Sequence, residues 1–92
     1  MKDIVWTLQV TLTKKGGGGN VVRKSLKLPF PPSAGIEIED SAWKEPRKIA
    51  ALSFNTGGEG FFLALGIDHC EDKAELARTV QMYESHGWKA LV

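Results

Sequence analysis

The segment GIDHCEDKAE, residues 66–75, concentrates most of the reactive side-chain types of this chain between Asp68 and Asp72. Its histidine and its cysteine, which is the only one, are neighbours at positions 69 and 70. A cysteine near a helix N-terminus has a lowered pKa, and His69 or His86 could serve as its base, so one interpretation is a thiol nucleophile. The adjacent carboxylates argue against this interpretation, because nearby negative charge raises a thiol pKa.

The same carboxylates match the pattern that begins a helix. Asp68 with Glu71, and Asp72 with Glu75, each have the three-residue spacing of a capping box. A metal site is disfavoured, because Asp, His and Cys are consecutive at positions 68–70, whereas tetrahedral sites use separated ligand pairs. The segment therefore predicts a helix start, with no catalytic residue, no metal and no cofactor.

Basic side chains gather on the first predicted hairpin. They are Lys14, Lys15, Arg23, Lys24 and Lys27. A basic hairpin is a plausible contact for nucleic-acid phosphates. No aromatic residues are interleaved for base stacking, however, and lysines on outer strands also discourage edge-to-edge aggregation. Both interpretations stay open.

Two further features suggest ligand sites. A pocket between the sheet and the helix would be lined by aromatic residues, with His69 and Cys70 at its mouth. The aromatic residues are Trp6, Trp43, Tyr83 and Trp88. The glycine runs at 16–19 and 57–60 could wrap a phosphate, but both lead into predicted strands rather than helices, so hairpin turns are favoured.

The elements that would position these groups follow from hydrophobic periodicity. Residues 4–13 alternate with period two, which predicts a strand, and residues 21–28 continue the pattern after the glycine turn, so the two should pair antiparallel. A short strand is expected at 36–39. The apolar runs at 48–54 and 60–67 lack alternation, which indicates strands covered on both faces at the centre of the sheet.

The period becomes helical from about residue 70. Leu76, Ala77, Val80 and Tyr83 form one apolar stripe, and Gly87 should end the helix with Trp88 folding back onto Tyr83. The final residues, KALV, would add a short strand. The fold class is thus α+β, an antiparallel sheet of four to five strands with one C-terminal helix packed on one face.

Composition bounds the class of protein. The 92 residues are 42% hydrophobic and 25% charged, which suits a single domain over 1–92 and excludes a disordered chain. One cysteine forms no internal disulfide, and neither a signal sequence nor a long apolar run is evident, so we expect a cytoplasmic protein without membrane contact. Residues 1–30 carry six basic groups and one acidic group, whereas residues 31–92 carry six basic and ten acidic groups.

Three functions fit these observations, in decreasing order of support. The first is a non-enzymatic protein-interaction module that self-associates, through an edge strand or the helix-free face. The second is a nucleic-acid-binding accessory protein that uses the basic hairpin. The third is a small-molecule binder or enzyme with a pocket between sheet and helix. The sequence favours a protein that is not an enzyme and that forms a homo-oligomer or binds a protein partner.

Overall fold

The first strand, β1 (Ile4–Lys14), lies in the middle of the main sheet, with strands on both sides. The computed structural model describes residues 3–92, so Met1 and Lys2 of the predicted domain lie outside the described residues. In chain order the elements are β1 (Ile4–Lys14), β2 (Gly19–Leu28), β3 (Glu37–Ile38), β4 (Arg47–Lys48), β5 (Ala51–Asn55), β6 (Gly60–Cys70), α1 (Lys73–Ser85) and β7 (Lys89–Ala90). The five-stranded sheet has the order β5-β6-β1-β2-β7, and β3 and β4 form a separate pair.

The first hairpin is confirmed. β1 and β2 pair antiparallel, with Val10 opposite Val22, and both of these side chains are fully buried. The turn between them needs glycine, because Gly16, Gly17 and Gly18 all have positive φ angles. In β1, apolar residues alternate with residues that are mostly threonine or glutamine. This alternation builds one buried side and one largely polar side, as a half-covered strand requires.

The second hairpin pairs as expected but lies elsewhere in the sheet. β5 and β6 are antiparallel partners, yet β5 is an edge strand whose five residues are all exposed. The prediction that both runs lie at the centre was therefore wrong for β5. β6 is interior because it also pairs with β1, and this ladder is the one parallel ladder of an otherwise antiparallel main sheet.

Strand β6 continues past the point where a turn into the helix was expected. Gly66 has a φ of +99°, and the register between β1 and β6 shifts at this position, which marks a bulge. The strand then resumes to Cys70. Asp68 is consequently a strand residue, so its predicted capping role was wrong, and the helix begins after Asp72 instead.

Helix α1 packs on one face of the sheet, as predicted. Tyr83 is fully buried, and Leu76 and Val80 pack against the strand core, whereas Ala77 is exposed and does not belong to the expected apolar stripe. Gly87 has a φ of +89° and ends the helix. Trp88 then packs edge-on against Tyr83, with ring centroids 5.3 Å apart.

Two short strand pairings involve segments before and after the helix. The predicted terminal strand is present as β7, which pairs with β2. The short third strand is also present, but it pairs with β4 outside the main sheet. In the part of the chain that the structure describes, no helix is both long enough and apolar enough to cross a membrane.

The other face of the main sheet carries no helix of the described chain, and we call it the open face. On β1, β2 and β6 the buried side chains point to the helix side, and the side chains that alternate with them point to the open face. The cross-strand neighbours of these open-face residues on β5 and β7 complete it. It comprises Val5, Thr7, Gln9, Thr11, Thr13, Val21, Arg23, Ser25, Lys27, Ala51, Ser53, Asn55, Phe62, Ala64, Ile67, His69 and Lys89.

Candidate functional site

A chain of hydrogen bonds on the helix side joins three parts of the fold. Trp43 Nε1 donates to Tyr83 Oη at 2.9 Å, and Tyr83 Oη donates to Asp68 Oδ2 at 2.6 Å. Arg47 pairs with Asp68 Oδ1 at 2.8 Å and places its guanidinium 4.7 Å from the Trp43 ring centroid. The connection before β5, strand β6 and helix α1 are thereby held together.

This cluster borders an open cleft of about 470 Å³. Its lining residues include Trp43, Arg47, Asp68, Met82 and Tyr83. Burial, followed by the hydrogen bond to Asp68, raises the pKa of Tyr83 to about 12. A phenol with this pKa stays protonated near neutral pH and makes a poor general base. Both carboxylate oxygens of Asp68 already have partners. The cluster is therefore well suited to hold the connection before β5 against strand β6 and helix α1.

A second cluster lies next to the first, around the carboxylate of Asp40. Lys24 Nζ lies 2.7 Å from Asp40 Oδ1 and also donates to the carbonyl oxygen of His86 at 2.9 Å. Trp88 Nε1 and the backbone N–H of Ala42 both donate to Asp40 Oδ2. Burial alone raises the pKa of Asp40, but the hydrogen bonds from Lys24, Trp88 and Ala42 outweigh it and hold the pKa below its usual value.

The structure brings together only part of the predicted pocket. Trp43 and Trp88 are 5.6 Å apart by ring centroids, and both contact Tyr83. Trp6 lies instead against Phe30, to whose carbonyl oxygen its indole donates. Three of the four aromatic residues therefore share one site, and Trp6 belongs to the core elsewhere.

The predicted mouth of the pocket, His69 and Cys70, does not form one. His69 Nδ1 lies 2.8 Å from Thr13 Oγ1 on the open face, whereas Cys70 points to the helix side and is 4% exposed. The Cys70 thiol lies 3.7 Å from Thr79 Oγ1. Adjacent strand residues point to opposite faces, so these two side chains are kept apart by the sheet itself.

The carboxylates after Cys70 begin the helix. Asp72 Oδ1 accepts a 2.8 Å hydrogen bond from the backbone N–H of Glu75, as an N-cap does. Glu75 Oε2 accepts from the backbone N–H of Glu71, so the reciprocal bond of the box reaches one residue further back. Among residues 3–92, no three His, Cys, Asp or Glu side chains are grouped so that they could hold a metal ion.

The five basic residues of the first hairpin do not form one surface. Lys24 points to the helix side, where it forms an ion pair with Asp40. Its predicted contact with phosphate would require this ion pair to break. Lys14 and Lys15 lie at the tip, where Lys14 Nζ donates to the backbone of Lys15. Arg23 and Lys27 lie on the open face.

Two open-face residues were missed by the sequence reasoning. Lys89 of β7 lies directly across from Arg23 of β2. Phe62 of β6 faces the same side, and the Arg23 guanidinium lies 5.0 Å from its ring centroid while Arg23 Nε donates to Gln9 Oε1 at 2.9 Å. The run FFLAL is apolar at every position, so its sequence did not indicate which of its side chains point away from the core.

Both glycine turns lead into strands, whereas a phosphate-binding loop leads into the N-terminus of a helix. The backbone N–H groups of Gly57 and Gly58 both donate to Asn55 Oδ1, and the turn leads into β6. The turn at residues 15–18 leads into β2. Both therefore serve as hairpin connections.

Strand β5 forms the other distinctive surface. Its sequence ALSFN has no charged residue, and Leu52 and Phe54 are 39% and 56% exposed. β6 pairs with only one of the two edges of β5. The backbone groups on the other edge have no strand partner in the described chain.

No protein-family model, no curated protein and no solved structure matches this chain. The case for a function therefore rests on the contacts, charges and exposed surfaces of its own residues.

Proposed function

We propose that the protein is a non-enzymatic interaction module that self-associates by antiparallel pairing of strand β5 with β5 of a second copy. The observation that carries this proposal is the exposure of all five residues of an uncharged edge strand. Exposed apolar edges are templates for strand addition, because their outer N–H and C=O groups lack partners.

The opposite edge of the sheet supports the choice of β5. There the outermost strand, β7, has only two residues, and the neighbouring β2 carries Lys24 and Lys27 and is followed by Pro29. Short strands, lysines and proline are the usual devices that prevent edge pairing. β5 has none of them, which makes it the favoured edge for association.

Side-chain complementarity also favours a second copy as the occupant. With the two-fold axis at Ser53, antiparallel pairing places Leu52 across from Phe54 of the other copy. Both side chains face the helix side of the sheet, where Phe54 already packs on Phe61 with ring centroids 5.1 Å apart. The pairing would extend this apolar cluster across the axis without bringing like charges together.

The small size of the edge sets the expected strength. Five paired residues span about 17 Å, and their contact area falls at the low end for specific interfaces. We therefore expect a reversible dimer whose population rises with concentration. The single cysteine agrees with a cytoplasmic location, which we keep as part of the proposal.

The experiment is sedimentation equilibrium of the wild-type chain and a Leu52→Lys variant over a concentration series. The wild type should show a monomer–dimer equilibrium, and the variant should be monomeric because a charged edge residue opposes pairing. The matched control is Ile67→Lys, which changes another exposed apolar strand residue, 55% exposed and on the open face. A wild type that stays monomeric at its highest attainable concentration, or a Leu52→Lys variant that dimerises as well as the control, contradicts the proposal.

The alternative of a small-molecule binder or enzyme has less support. The cleft beside Trp43 is open, and two of the titratable groups on its wall, Asp68 and Tyr83, already satisfy one another. Catalytic sites hold groups whose protonation or hydrogen bonding is available to a substrate.

A further inference from the structure

The open face differs from the rest of the molecule in the sign of its charge. Among its residues there are three permanent cations, Arg23, Lys27 and Lys89, and no aspartate or glutamate on any described strand position. The chain as a whole has 11 acidic residues and 12 basic ones. The absence of acidic residues from the described strand positions of a face of this size is therefore informative. The two ion pairs in the described chain, Lys24–Asp40 and Arg47–Asp68, involve none of these three cations.

We infer that the open face binds single-stranded nucleic acid, with Arg23, Lys27 and Lys89 contacting phosphates and Phe62 stacking on a base. This inference does not depend on pairing through β5. It replaces the basic hairpin as the contact surface, since Lys24 is engaged on the helix side.

Arg23 and Lys89 supply cationic groups on neighbouring strands of the open face. The two residues lie opposite each other in the register of β2 and β7. The Arg23 side chain extends from there across β1 to the Phe62 ring, so the two cationic groups are spread over the face. Lys27 is four residues from Arg23 on the same strand, about 13 Å away, so the three cations surround a broad area of the face over which the phosphates of a polyanion can be contacted.

The aromatic and polar groups distinguish a nucleic acid from a simple polyanion. Phe62 lies half-buried on the open face with the Arg23 guanidinium over its ring, and aromatic rings and guanidinium planes both stack with bases. Thr7, Gln9 and Thr11 lie along the central strand between β2 and β6 and supply hydroxyl and amide groups for base edges. A sheet of long strands with a stacking residue and nearby cations suits a single strand, whose bases are free, better than a duplex.

A second copy is a poor occupant of this face. Two open faces packed against each other would bring their cations together with no carboxylate on either side to compensate. Association through β5 leaves this face accessible, so the two surfaces do not compete.

The test is fluorescence anisotropy with a labelled oligouridylate or oligothymidylate at two or more salt concentrations. Contacts to three phosphates predict a slope of about −2 in log Kobs against log salt, from ~0.7 per phosphate for single strands. The double variant Lys27→Glu with Lys89→Glu should reduce affinity at least tenfold. The matched control is Lys44→Glu with Lys73→Glu, which makes the same change in net charge at exposed positions off the sheet and should bind nearly as wild type.

A Phe62→Leu variant tests stacking while it keeps an apolar side chain at this position. It should weaken oligonucleotide binding on the order of tenfold and leave heparin binding unchanged, because heparin has no bases to stack. Thermal melting by circular dichroism checks that each variant folds. Equal binding by the charge-reversed pair and its control, a preference for duplex over single strand, or oligonucleotide binding that Phe62→Leu leaves unchanged would each overturn the inference.

Discussion

Tyr83 and Asp68 are joined by a 2.6 Å hydrogen bond from the phenol to the carboxylate, across the interface between helix α1 and strand β6. The phenol oxygen also accepts from Trp43 Nε1 at 2.9 Å, so one hydroxyl connects the helix, the sheet and the connection before β5. Every buried side-chain nitrogen and oxygen in the described residues has a partner, and this bond is central to that arrangement.

Replacing Tyr83 with phenylalanine should reduce the free energy of unfolding by about 1–3 kcal/mol, because Trp43 loses its acceptor and Asp68 loses a donor. Urea denaturation measures this change. The control is Ser85→Ala, which removes a helix hydroxyl that bonds only to the carbonyl of Met82 and should change stability by less than about 0.5 kcal/mol. Equal effects of the two variants would show that the hydrogen bond carries no particular weight.

The alkaline stability of the protein should depend on the same phenol. The pKa of Tyr83 is raised from 10.0 to about 12 in the fold, chiefly by burial. The unfolded chain then releases this proton first, so the stabilisation is complete below pH 10 and is lost as the pH rises toward 12. The difference in unfolding free energy between wild type and Tyr83→Phe should shrink over this range. A difference that stays constant to pH 12 would contradict the assignment.

The carboxylate of Asp40 should have the opposite pH dependence. Its pKa lies below the ordinary 3.8, so its contribution is complete above that value and is lost as the pH falls through the lower, folded pKa. Asp40→Asn should cost about 2 kcal/mol at neutral pH, because Lys24 then lacks its ion-pair partner. Denaturation at several pH values should show the two proteins converging in acid.

The neighbouring residue supplies the control for Asp40. Glu39 is exposed, and Glu39→Gln should change stability by less than about 0.5 kcal/mol at any of these pH values. An Asp40→Asn variant as stable as Glu39→Gln would mean that the ion pair is too well solvated to matter.

Local patterns in the sequence predicted the elements well, and they predicted long-range pairing less well. The alternation through β1 and β2 and the helical stripe ending at Gly87 reflect neighbours along the chain, so period and turn residues suffice to recognise them. The parallel ladder between β1 and β6 joins segments more than 40 residues apart with no helix between them, and nothing local indicates that pairing. The edge position of β5 follows from that ladder.

The errors at the site have particular causes. Lys24 follows the alternation of Val22 and Leu26 toward the helix side, so its separation from Arg23 and Lys27 was visible in the period of β2. The role of Asp68 was not visible, because the bulge at Gly66 changes which later residues of β6 face the helix. A glycine inside an apolar strand was the only indication of that change.

Cys70 should behave as a structural thiol. Its side chain is 4% exposed beneath helix α1, with the sulfur 3.7 Å from Thr79 Oγ1, so a thiol reagent reaches it only when the helix opens. Labelling by Ellman's reagent should be slow in the native protein and should accelerate with denaturant in parallel with unfolding measured by circular dichroism. The chain unfolded in guanidinium supplies the reference for full reactivity. Rapid labelling of the native protein at that reference rate would place Cys70 at an accessible opening and contradict its structural role.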